Sequence, residues 1–289
     1  MYKGSFVALV TPFKEDYSLD LEAYGRLIDW QIAEGTHGIV PCGCTGEAAT
    51  LSHDEQLSVI KYAVERVAGR VPVIAGTGSN NTKEAIHLTK HAKDVGADGA
   101  LLITPYYNKP THEGLLAHYG AIAKAVELPL MIYNVPGRTG TNIAPETTAA
   151  LSKIEGVVST KEAAGSVDQV SAIRMLCDIN ILSGDDSLTL PMMAVGASGV
   201  VSVAANVAPK LVSELCVAAG QGDYDGARKV HYQLMPLFKA LFLESNPLPV
   251  KATLEKMGKI QNVLRLPLTP MRAEMFEKLA PVLKDLSLI

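Results

Sequence analysis

The sequence is poor in cysteine, in tryptophan and in any excess of charge of one sign. Its 289 residues include four cysteines and one tryptophan, and 26 basic side chains stand against 30 acidic ones. Four cysteines in a chain of this length are too few for a disulfide-stapled secreted scaffold. A net charge of −4 offers no basic surface to nucleic acid or to an anionic membrane, so we expect neither as a partner.

The cysteines also lack the spacing of metal ligands. Cys42 and Cys44 are separated by one residue, but Cys177 and Cys216 lie far from them and from each other. A structural zinc site needs four ligands, and no second pair or nearby histidine cluster completes this one. We therefore expect reduced thiols, no metal and no cofactor.

A long unbroken apolar run and a targeting segment are missing as well. The longest uncharged stretch covers residues 187–209 and is interrupted by Pro191, Asn206 and several glycines. It is too broken to span a bilayer and is predicted to form a short helix followed by a buried strand. The first residues already have a strand-like pattern, with no signal or transit peptide before them, so we expect a cytoplasmic protein.

What the sequence does contain is a regular alternation of short apolar runs and amphipathic segments. The composition is 48% apolar and 19% charged, which suits a soluble protein with a large core. Eight apolar runs are predicted to be strands, over 6–10, 38–42, 71–75, 100–104, 128–133, 157–161, 179–183 and 199–203. Helices are predicted between most of them, over 21–34, 53–68, 82–95, 113–126 and 144–153.

Eight strands that alternate with helices are typical of an α/β protein with a (β/α)8 TIM barrel, which we predict for residues 1–206. An open doubly wound sheet is the structural alternative, but no G-x-G-x-x-G fingerprint follows the first strand. After Val207 the pattern becomes helical, over 210–221, 223–243, 249–257 and 270–286. We predict that residues 207–289 form a C-terminal α-helical region, which includes the last barrel helix and packs on the barrel or on a partner subunit.

The sixth predicted strand ends at Lys161, which is the most informative residue for function. A lysine at a strand end is either a solvated charge or an amine placed to react. Burial lowers the pKa of an amine, and a neutral amine attacks a ketone to form a Schiff base. The choice between the two interpretations depends on the neighbours of Lys161.

The carboxyl ends of all barrel strands open onto one mouth, so residues that follow other strands become those neighbours. Strand two is followed by residues 43–47, Gly-Cys-Thr-Gly-Glu, which form either a simple turn or a glycine-lined anion pocket with the Thr45 hydroxyl beside it. Strand four is followed by Tyr106 and Tyr107, which are also explained by simple packing.

Strand five supplies Tyr133, whose phenol can move protons, and Arg138, whose guanidinium fork suits a carboxylate. An amine, a phenol, a guanidinium and an anion pocket are the groups that imine chemistry on a 2-keto acid requires. No set of Asp, Glu and His residues suits a metal-dependent aldolase. The sequence therefore favours a Schiff-base mechanism at Lys161.

The order and spacing of these motifs resemble the dihydrodipicolinate synthase and N-acetylneuraminate lyase superfamily along nearly the whole chain. The Pro-Gly-Arg-Thr-Gly loop around Arg138 resembles the dihydrodipicolinate synthase branch. That resemblance implies condensation of pyruvate with L-aspartate 4-semialdehyde to 4-hydroxy-tetrahydrodipicolinate, on the route to diaminopimelate and lysine. The matching stretches are 8–12, 43–47, 73–78, 105–107, 133–140, 161–163, 183–186, 199–206 and 244–251.

The resemblance also implies roles for individual residues. Lys161 would form the Schiff base and Tyr133 would relay protons, while Tyr107 would reach across a dimer interface into the neighbouring site of a homotetramer built as a dimer of dimers. The remaining residues would bind substrate: Thr45 the pyruvate carboxylate, Arg138 the carboxylate of the aldehyde, and Gly184 and Val201 as lining of the mouth.

One catalytic position departs from the family pattern, which usually has Gly-Thr-Thr-Gly-Glu at residues 43–47. The first threonine bridges the two tyrosines of the proton relay, and in this chain that position is Cys44. A thiol is a weaker hydrogen-bond donor and acceptor than a hydroxyl. We therefore predict a slower proton relay with pyruvate binding largely retained.

A second site is implied by similarity to the pocket where lysine binds some bacterial members as a feedback inhibitor. Position 56, commonly histidine in that pocket, is Gln56 here. The alternative explanation is a capped helix with ordinary surface polar groups. The matching residues are Ala49, His53, Asn80, Glu84 and Tyr106.

Two other functions stay open at this stage. The chain could be a pyruvate-dependent aldolase or lyase for N-acetylneuraminate or a 2-keto-3-deoxy sugar acid, although the Arg138 loop argues against it. It could also bind a 2-keto acid without catalysis, because Cys44 interrupts the relay.

Overall fold

The protein, described here by a computed structural model of residues 1–289, contains eight parallel strands in one sheet. Neighbouring strands follow the order β2-β1-β8-β7-β6-β5-β4-β3, and a parallel bridge between Ile39 and Val73 brings the two ends of the sheet together. The strands are β1 Gly4–Ala8, β2 Gly38–Val40, β3 Ile74–Gly76, β4 Gly99–Ile103, β5 Leu130–Asn134, β6 Val157–Glu162, β7 Asn180–Ser183 and β8 Gly199–Ser202. The predicted (β/α)8 barrel is confirmed, and the open doubly wound sheet is wrong.

Twelve α-helices follow the strands or extend the chain beyond them. They are α1 Leu21–Ala33, α2 His53–Val67, α3 Thr82–Asp94, α4 His112–Ala125, α5 Pro136–Thr139, α6 Pro145–Leu151, α7 Val167–Leu176, α8 Thr189–Ala194, α9 Pro209–Gly220, α10 Tyr224–Ala240, α11 Leu248–Lys256 and α12 Ala273–Asp285. Short 3-10 turns lie at Ala48–Thr50, Asp186–Leu188 and Ala204–Asn206. All nine predicted helical segments are present, and α5 and α7 were not predicted.

Local sequence explains where a typical barrel helix begins and which face it buries. At the start of α2 the Ser52 hydroxyl accepts a hydrogen bond from the backbone N–H of Glu55, and the Glu55 carboxylate accepts one from the N–H of Ser52. This capping box satisfies two N–H groups that the helix itself leaves unpaired. Val59, Ile60 and Ala63 then recur at helical spacing and are buried against the barrel.

Two layers of apolar side chains form the core. The larger layer, 65 residues, lies mainly between the strands and the surrounding helices. The smaller layer consists of ten inward-pointing residues that fill the barrel, so its interior is packed and is not a pore. Tyr133 and Val201 belong to this inner layer, which places the predicted relay tyrosine at the end of the barrel core.

Beyond β8, helix α9 packs on β1 and β8 and completes the ring of barrel helices, while α10, α11 and α12 lie outside it. The division of the chain between residues 206 and 207 stays a prediction. The segment 187–209 forms the predicted short helix, α8, and the predicted buried strand, β8. None of the helices is both long enough and apolar enough to cross a membrane.

Candidate active site

Lys161 and Tyr133 are opposite each other on neighbouring strands at the mouth of the barrel. The register of β5 and β6 pairs the two residues directly. The Nζ atom of Lys161 lies 3.9 Å from the centroid of the Tyr133 ring. Both side chains are buried, with Lys161 only 5% exposed. The interpretation of Lys161 as a solvated strand end is therefore wrong.

Burial changes the acid–base properties of both groups. It lowers the pKa of Lys161 to about 8, although the nearby Cys44, Asp186 and Asp185 side chains favour the charged amine. Burial also raises the pKa of Tyr133 well above its usual range, with the Cys44 thiol adding to the effect. At neutral pH a useful fraction of Lys161 is thus a free nucleophile, and Tyr133 keeps its proton.

Space beside the amine depends on a glycine at the end of β7. A Cβ atom on Gly184 would clash with Cβ of Ala163 at 2.6 Å and would press against Cε of Lys161 at 3.0 Å, closer than an ordinary van der Waals contact. Gly184 thus leaves room for the Lys161 side chain. Val201, which was predicted to line the mouth, is fully buried among the inward-pointing residues and supports the site from below.

The predicted carboxylate-binding residues are connected through a residue of the C-terminal region. Thr45 is buried, with 2% of its surface exposed. Its hydroxyl accepts a hydrogen bond of 2.9 Å from Nδ2 of Asn246. The Arg138 guanidinium, on the short helix α5, donates to the backbone oxygen of Asn246 at 3.3 Å. Asn246 therefore fixes the relative position of Thr45 and Arg138.

A cavity of about 320 Å³ opens above these residues. Cys44, Tyr133, Arg138 and Asn246 line it, whereas Lys161, Thr45, Gly184 and Val201 are not part of its lining. Its lining is mostly apolar with a few convergent polar groups, as in small-molecule sites. The cavity is large enough for two small metabolites near Tyr133.

Tyr107 is the one predicted catalytic residue that this chain does not bring to the others. Its side chain is 90% exposed and does not line the cavity. Its backbone has φ of 73°, in the left-handed region that non-glycine residues rarely adopt. The loop after β4 therefore holds the phenol out from the surface of the chain.

The residues of the predicted lysine pocket lie partly in the lining of the cavity and partly outside it. Nδ2 of Asn80 donates to the backbone oxygen of Tyr106 at 3.1 Å, and the Glu84 carboxylate accepts from Ser79 at 2.8 Å. Ala49, Gln56 and Tyr106 line the same cavity as Tyr133. Nε2 of Gln56 donates to the backbone oxygen of Ala48, whereas its Oε1 atom is buried without a hydrogen-bond partner. His53 is exposed at the start of α2.

A buried carboxyl group behind the site was not predicted. Glu162, fully buried next to Lys161, accepts hydrogen bonds from Asn134 at 3.0 and 3.2 Å and from the N–H of Ala164 at 2.9 Å. Burial raises the pKa of Glu162 to about 7. Since Asn134 follows Tyr133, these bonds tie together the strand ends that carry both reactive side chains. The sequence contained the Lys161-Glu162 pair but no signal that Glu162 faces Asn134.

All four cysteines are free thiols, and no group of three His, Cys, Asp or Glu side chains is arranged to hold a metal ion. The functional groups at the mouth are the Lys161 amine, the Tyr133 phenol, the Cys44 thiol and the Arg138 guanidinium. A parallel barrel that holds a buried amine of lowered pKa beside a phenol is suited to Schiff-base lyase chemistry.

Comparison with known proteins identifies the family. The model of the dihydrodipicolinate synthetase family matches residues 1–286, and the chain belongs to that family. It is 55% identical over 291 residues to the 4-hydroxy-tetrahydrodipicolinate synthase of Geobacter metallireducens, with 100% of both chains covered.

Solved structures agree with this assignment. The dihydrodipicolinate synthase of Acinetobacter baumannii complexed with pyruvate is 48% identical, with a TM-score of 0.98 and full coverage of both chains. The enzyme of Cyanidioschyzon merolae with lysine bound is 38% identical, with a TM-score of 0.96 and coverage of 100% of this chain and 99% of the other.

Proposed function

We propose that the protein catalyses the reaction of a 4-hydroxy-tetrahydrodipicolinate synthase, the condensation of pyruvate with L-aspartate 4-semialdehyde on the route to diaminopimelate and lysine. The observation that carries the proposal is the position of Lys161, buried with its pKa lowered to about 8 and set against Tyr133. Membership of the family supports the choice of substrates.

The reaction begins when the neutral Lys161 amine adds to the ketone carbon of pyruvate. Loss of the ketone oxygen as water leaves an imine, whose protonated form makes the pyruvate methyl group acidic. Removal of a methyl proton gives an enamine, and its carbon attacks the aldehyde carbon of the second substrate. The aldehyde oxygen takes up a proton and becomes the hydroxyl of the product. The amine of the second substrate then adds to the imine carbon, which closes the ring and releases Lys161.

These steps need a group that moves protons between the ketone oxygen, the methyl group and the aldehyde oxygen. Tyr133 has the position for this role, with its ring against the Lys161 amine. Cys44 lines the cavity next to it and takes the place of the usual threonine. Tyr107 of a second subunit would complete the relay, since in its own subunit it points outward.

Two carboxylates must be held while this chemistry takes place. Thr45 and the glycine-rich backbone around it would bind the carboxylate of pyruvate, because backbone N–H groups and a hydroxyl suit an anion. Arg138, on the opposite side of Asn246, would bind the carboxylate of the aldehyde as a bidentate fork. The two anions are thereby separated, and the aldehyde is directed toward the enamine.

Borohydride trapping tests the central step. After incubation with pyruvate and reduction, we expect one reduced pyruvate adduct per chain, located on Lys161 by peptide mass spectrometry. The Lys161→Ala variant is the control and should show none. Absence of an adduct from the wild-type protein would contradict imine chemistry and favour a protein that only binds 2-keto acids.

A substrate panel tests the second substrate. The wild-type protein should consume aspartate 4-semialdehyde with pyruvate at a kcat/KM at least about a hundredfold above any cleavage of N-acetylneuraminate or 2-keto-3-deoxygluconate, because Arg138 matches a carboxylate at that position. Preference for either sugar acid would overturn the proposed substrate while leaving the Lys161 mechanism intact.

We also propose feedback inhibition by L-lysine at the cluster formed by Ala49, His53, Asn80, Glu84 and Tyr106. A solved relative carries lysine, and in this chain part of the cluster shares a cavity with Tyr133. Titration of the activity with L-lysine should give inhibition, with D-lysine as the control. An unchanged rate at millimolar L-lysine would contradict it, and Gln56→His should alter the inhibition constant if the site is used.

The proposed assembly is a homotetramer built as a dimer of dimers. Its support is Tyr107, a tyrosine 90% exposed on a left-handed backbone and needed at a site that its own subunit does not provide. Analytical ultracentrifugation over a range of protein concentrations should show a tetramer. A fully active monomer would contradict this arrangement.

A further inference from the structure

The loop that carries Cys44 and Thr45 is held by contacts from the far end of the chain. It ends at Glu47, whose backbone is left-handed with φ of 54° and whose side chain is completely buried. A buried carboxylate requires a partner, because an unpaired charge in the interior is very costly. The partner of Glu47 lies more than two hundred residues further along the sequence.

That partner is Lys251, in the middle of α11. Its ammonium group forms an ion pair with Glu47, and both side chains are fully shielded from solvent. The same Nζ atom donates to the backbone oxygen of Val263 at 2.9 Å and lies 4.2 Å from the centroid of the Phe13 ring. Burial lowers the pKa of Lys251 to about 8, while Glu47 favours its charged form. The amine is surrounded on all sides and has no path to a substrate.

Arg265, from the same region, contacts Glu47 through its backbone and Glu55 through its side chain. The backbone N–H of Arg265 donates to the other oxygen of Glu47 at 3.4 Å. The Arg265 guanidinium binds the Glu55 carboxylate at the start of α2 with distances of 2.7 and 2.5 Å. The segment after α11 therefore binds residues on both sides of the 3-10 turn Ala48–Thr50, Glu47 before it and Glu55 after it.

Asn246 adds the third contact, directly to a substrate-binding residue. It is 5% exposed, donates to the Thr45 hydroxyl at 2.9 Å and accepts from Arg138 at 3.3 Å. Asn246, two residues before α11, therefore contacts both Thr45 and Arg138, the residues proposed to bind carboxylates. The bond from Asn246 restricts the orientation of the Thr45 hydroxyl.

We propose that residues 246–265 are a positioning element of the active site, in which Asn246 and the Glu47–Lys251 ion pair hold the Cys44–Thr45 loop in the geometry that receives the carboxylate of pyruvate. The inference rests on the proposed function, since it assigns Thr45 to pyruvate. None of these residues reacts with substrate. They act through Thr45 and are expected to affect binding of pyruvate more than the later chemistry.

The test compares Glu47→Gln, Lys251→Met and the double variant Glu47→Leu/Lys251→Met with the wild-type protein. Arg272→Met is the matched control, because Arg272 forms an ion pair with Glu244 in the same region but is 58% exposed. Each protein is measured for thermal unfolding, for pyruvate KM and kcat, and for the pyruvate dependence of borohydride-trapped adduct at Lys161.

We expect the single variants to raise pyruvate KM about tenfold, because that is the effect of losing one hydrogen bond to a charged group. Their kcat at saturating pyruvate should stay within about threefold of the wild-type value. The double variant should recover thermal stability, since well-packed apolar side chains can replace a buried ion pair, while its pyruvate KM stays high. Arg272→Met should leave pyruvate KM, kcat and adduct formation unchanged.

Two results would overturn the proposal. One is a lower melting temperature with unchanged pyruvate KM in the single variants, which would mean that the pair only supports packing. The other is a double variant that recovers both stability and KM. If Lys251→Met does not fold, Glu47→Gln and Asn246→Ala decide the question by the same KM criterion. Because adduct formation needs pyruvate alone, a wild-type protein that traps pyruvate but rejects aspartate semialdehyde would refute the proposed substrate without affecting this test.

Discussion

Tyr133 lies opposite Lys161 because a β-bulge shifts the register of β5 and β6 a few residues before this pair. The register of β5 and β6 shifts between Leu130, which pairs with Val157, and Met131, which pairs with Ser159. The extra residue is Val158 of β6. If the register of Leu130 and Val157 continued without this shift, Tyr133 would be opposite Thr160 and the amine would lie on the other face from the phenol. A single irregularity in the sheet therefore sets the geometry of the proposed reaction.

The pH dependence of imine formation follows from the pKa of Lys161. Because burial lowers that pKa to about 8, the neutral fraction of the amine rises with pH up to that value and then levels off. The rate of borohydride-trapped adduct formation at low pyruvate should increase about tenfold per pH unit below pH 7 and be flat above about pH 9. A rate that continues to rise to pH 10 would indicate an amine with an ordinary pKa.

Replacement of the amine should stabilise the fold while it abolishes the chemistry. The buried Lys161 has a pKa of about 8 against 10.5 when free, so at neutral pH its charge opposes folding. Lys161→Met should form no adduct and should gain about 3 kcal/mol in the free energy of unfolding at pH 7.

The pH dependence of the free energy of unfolding provides a control for this prediction. Between pH 8 and 10.5 the unfolded chain binds the Lys161 proton and the folded protein does not, so the wild-type protein gains stability as pH rises through that window. The advantage of Lys161→Met should shrink over the same window in denaturant titrations. An equal advantage at pH 7 and pH 10 would contradict this account.

Gly184 can be tested by adding one methyl group. Gly184→Ala places a Cβ atom 3.0 Å from Cε of Lys161 and 2.6 Å from Ala163. Overpacking of this kind costs about 1–3 kcal/mol, and we expect imine formation to slow about tenfold or more as the amine is displaced. Gly220→Ala is the control, since no atom lies within 4 Å of a Cβ there. Equal adduct rates in both variants would refute the proposed role of Gly184.

The substitution at position 44 can be reversed. Cys44→Thr places a hydroxyl next to Tyr133, where it donates and accepts stronger hydrogen bonds than a thiol. We expect kcat to rise about three- to tenfold with little change in pyruvate KM, because proton transfer is affected and binding is not. Cys177→Ser, at the end of α7 and away from the cavity, should behave like the wild-type protein. An unchanged kcat in Cys44→Thr would show that the thiol does not limit the relay.

Periodicity was sufficient to predict the barrel and the strand ends that carry Lys161, Tyr133 and Thr45, because each depends on a few consecutive residues. It did not predict α7, whose apolar side chains point both inward and outward: Ile173 is buried while Met175 is 87% exposed. The bulge at Val158 in β6 was also invisible, since it leaves no mark in the alternation of residues.

Long-range contacts were the other gap. Asn246 and Thr45 are 201 residues apart, and nothing in the local pattern around either one indicates that they touch. The motif around Lys251 was recognised by resemblance, but its pairing with Glu47 depends on how α11 folds back over the barrel. The C-terminal region was predicted as an addition to the barrel, and in the structure its Asn246, just before α11, contacts Thr45 and Arg138 at the mouth.

The closure of the barrel has a consequence for its motions. Strands β2 and β3 meet along a narrow seam, where the N–H of Ile39 donates to Pro72 and the N–H of Gly76 donates to Pro41, each at 2.9 Å. Few hydrogen bonds must break for this seam to open, so local breathing of the barrel should begin there and be visible as fast amide exchange. The loop that carries Cys44, Thr45 and Glu47 follows β2 directly, and the Glu47–Lys251 ion pair ties that loop to α11. Opening of the barrel wall and loosening of the pyruvate pocket would then be one event.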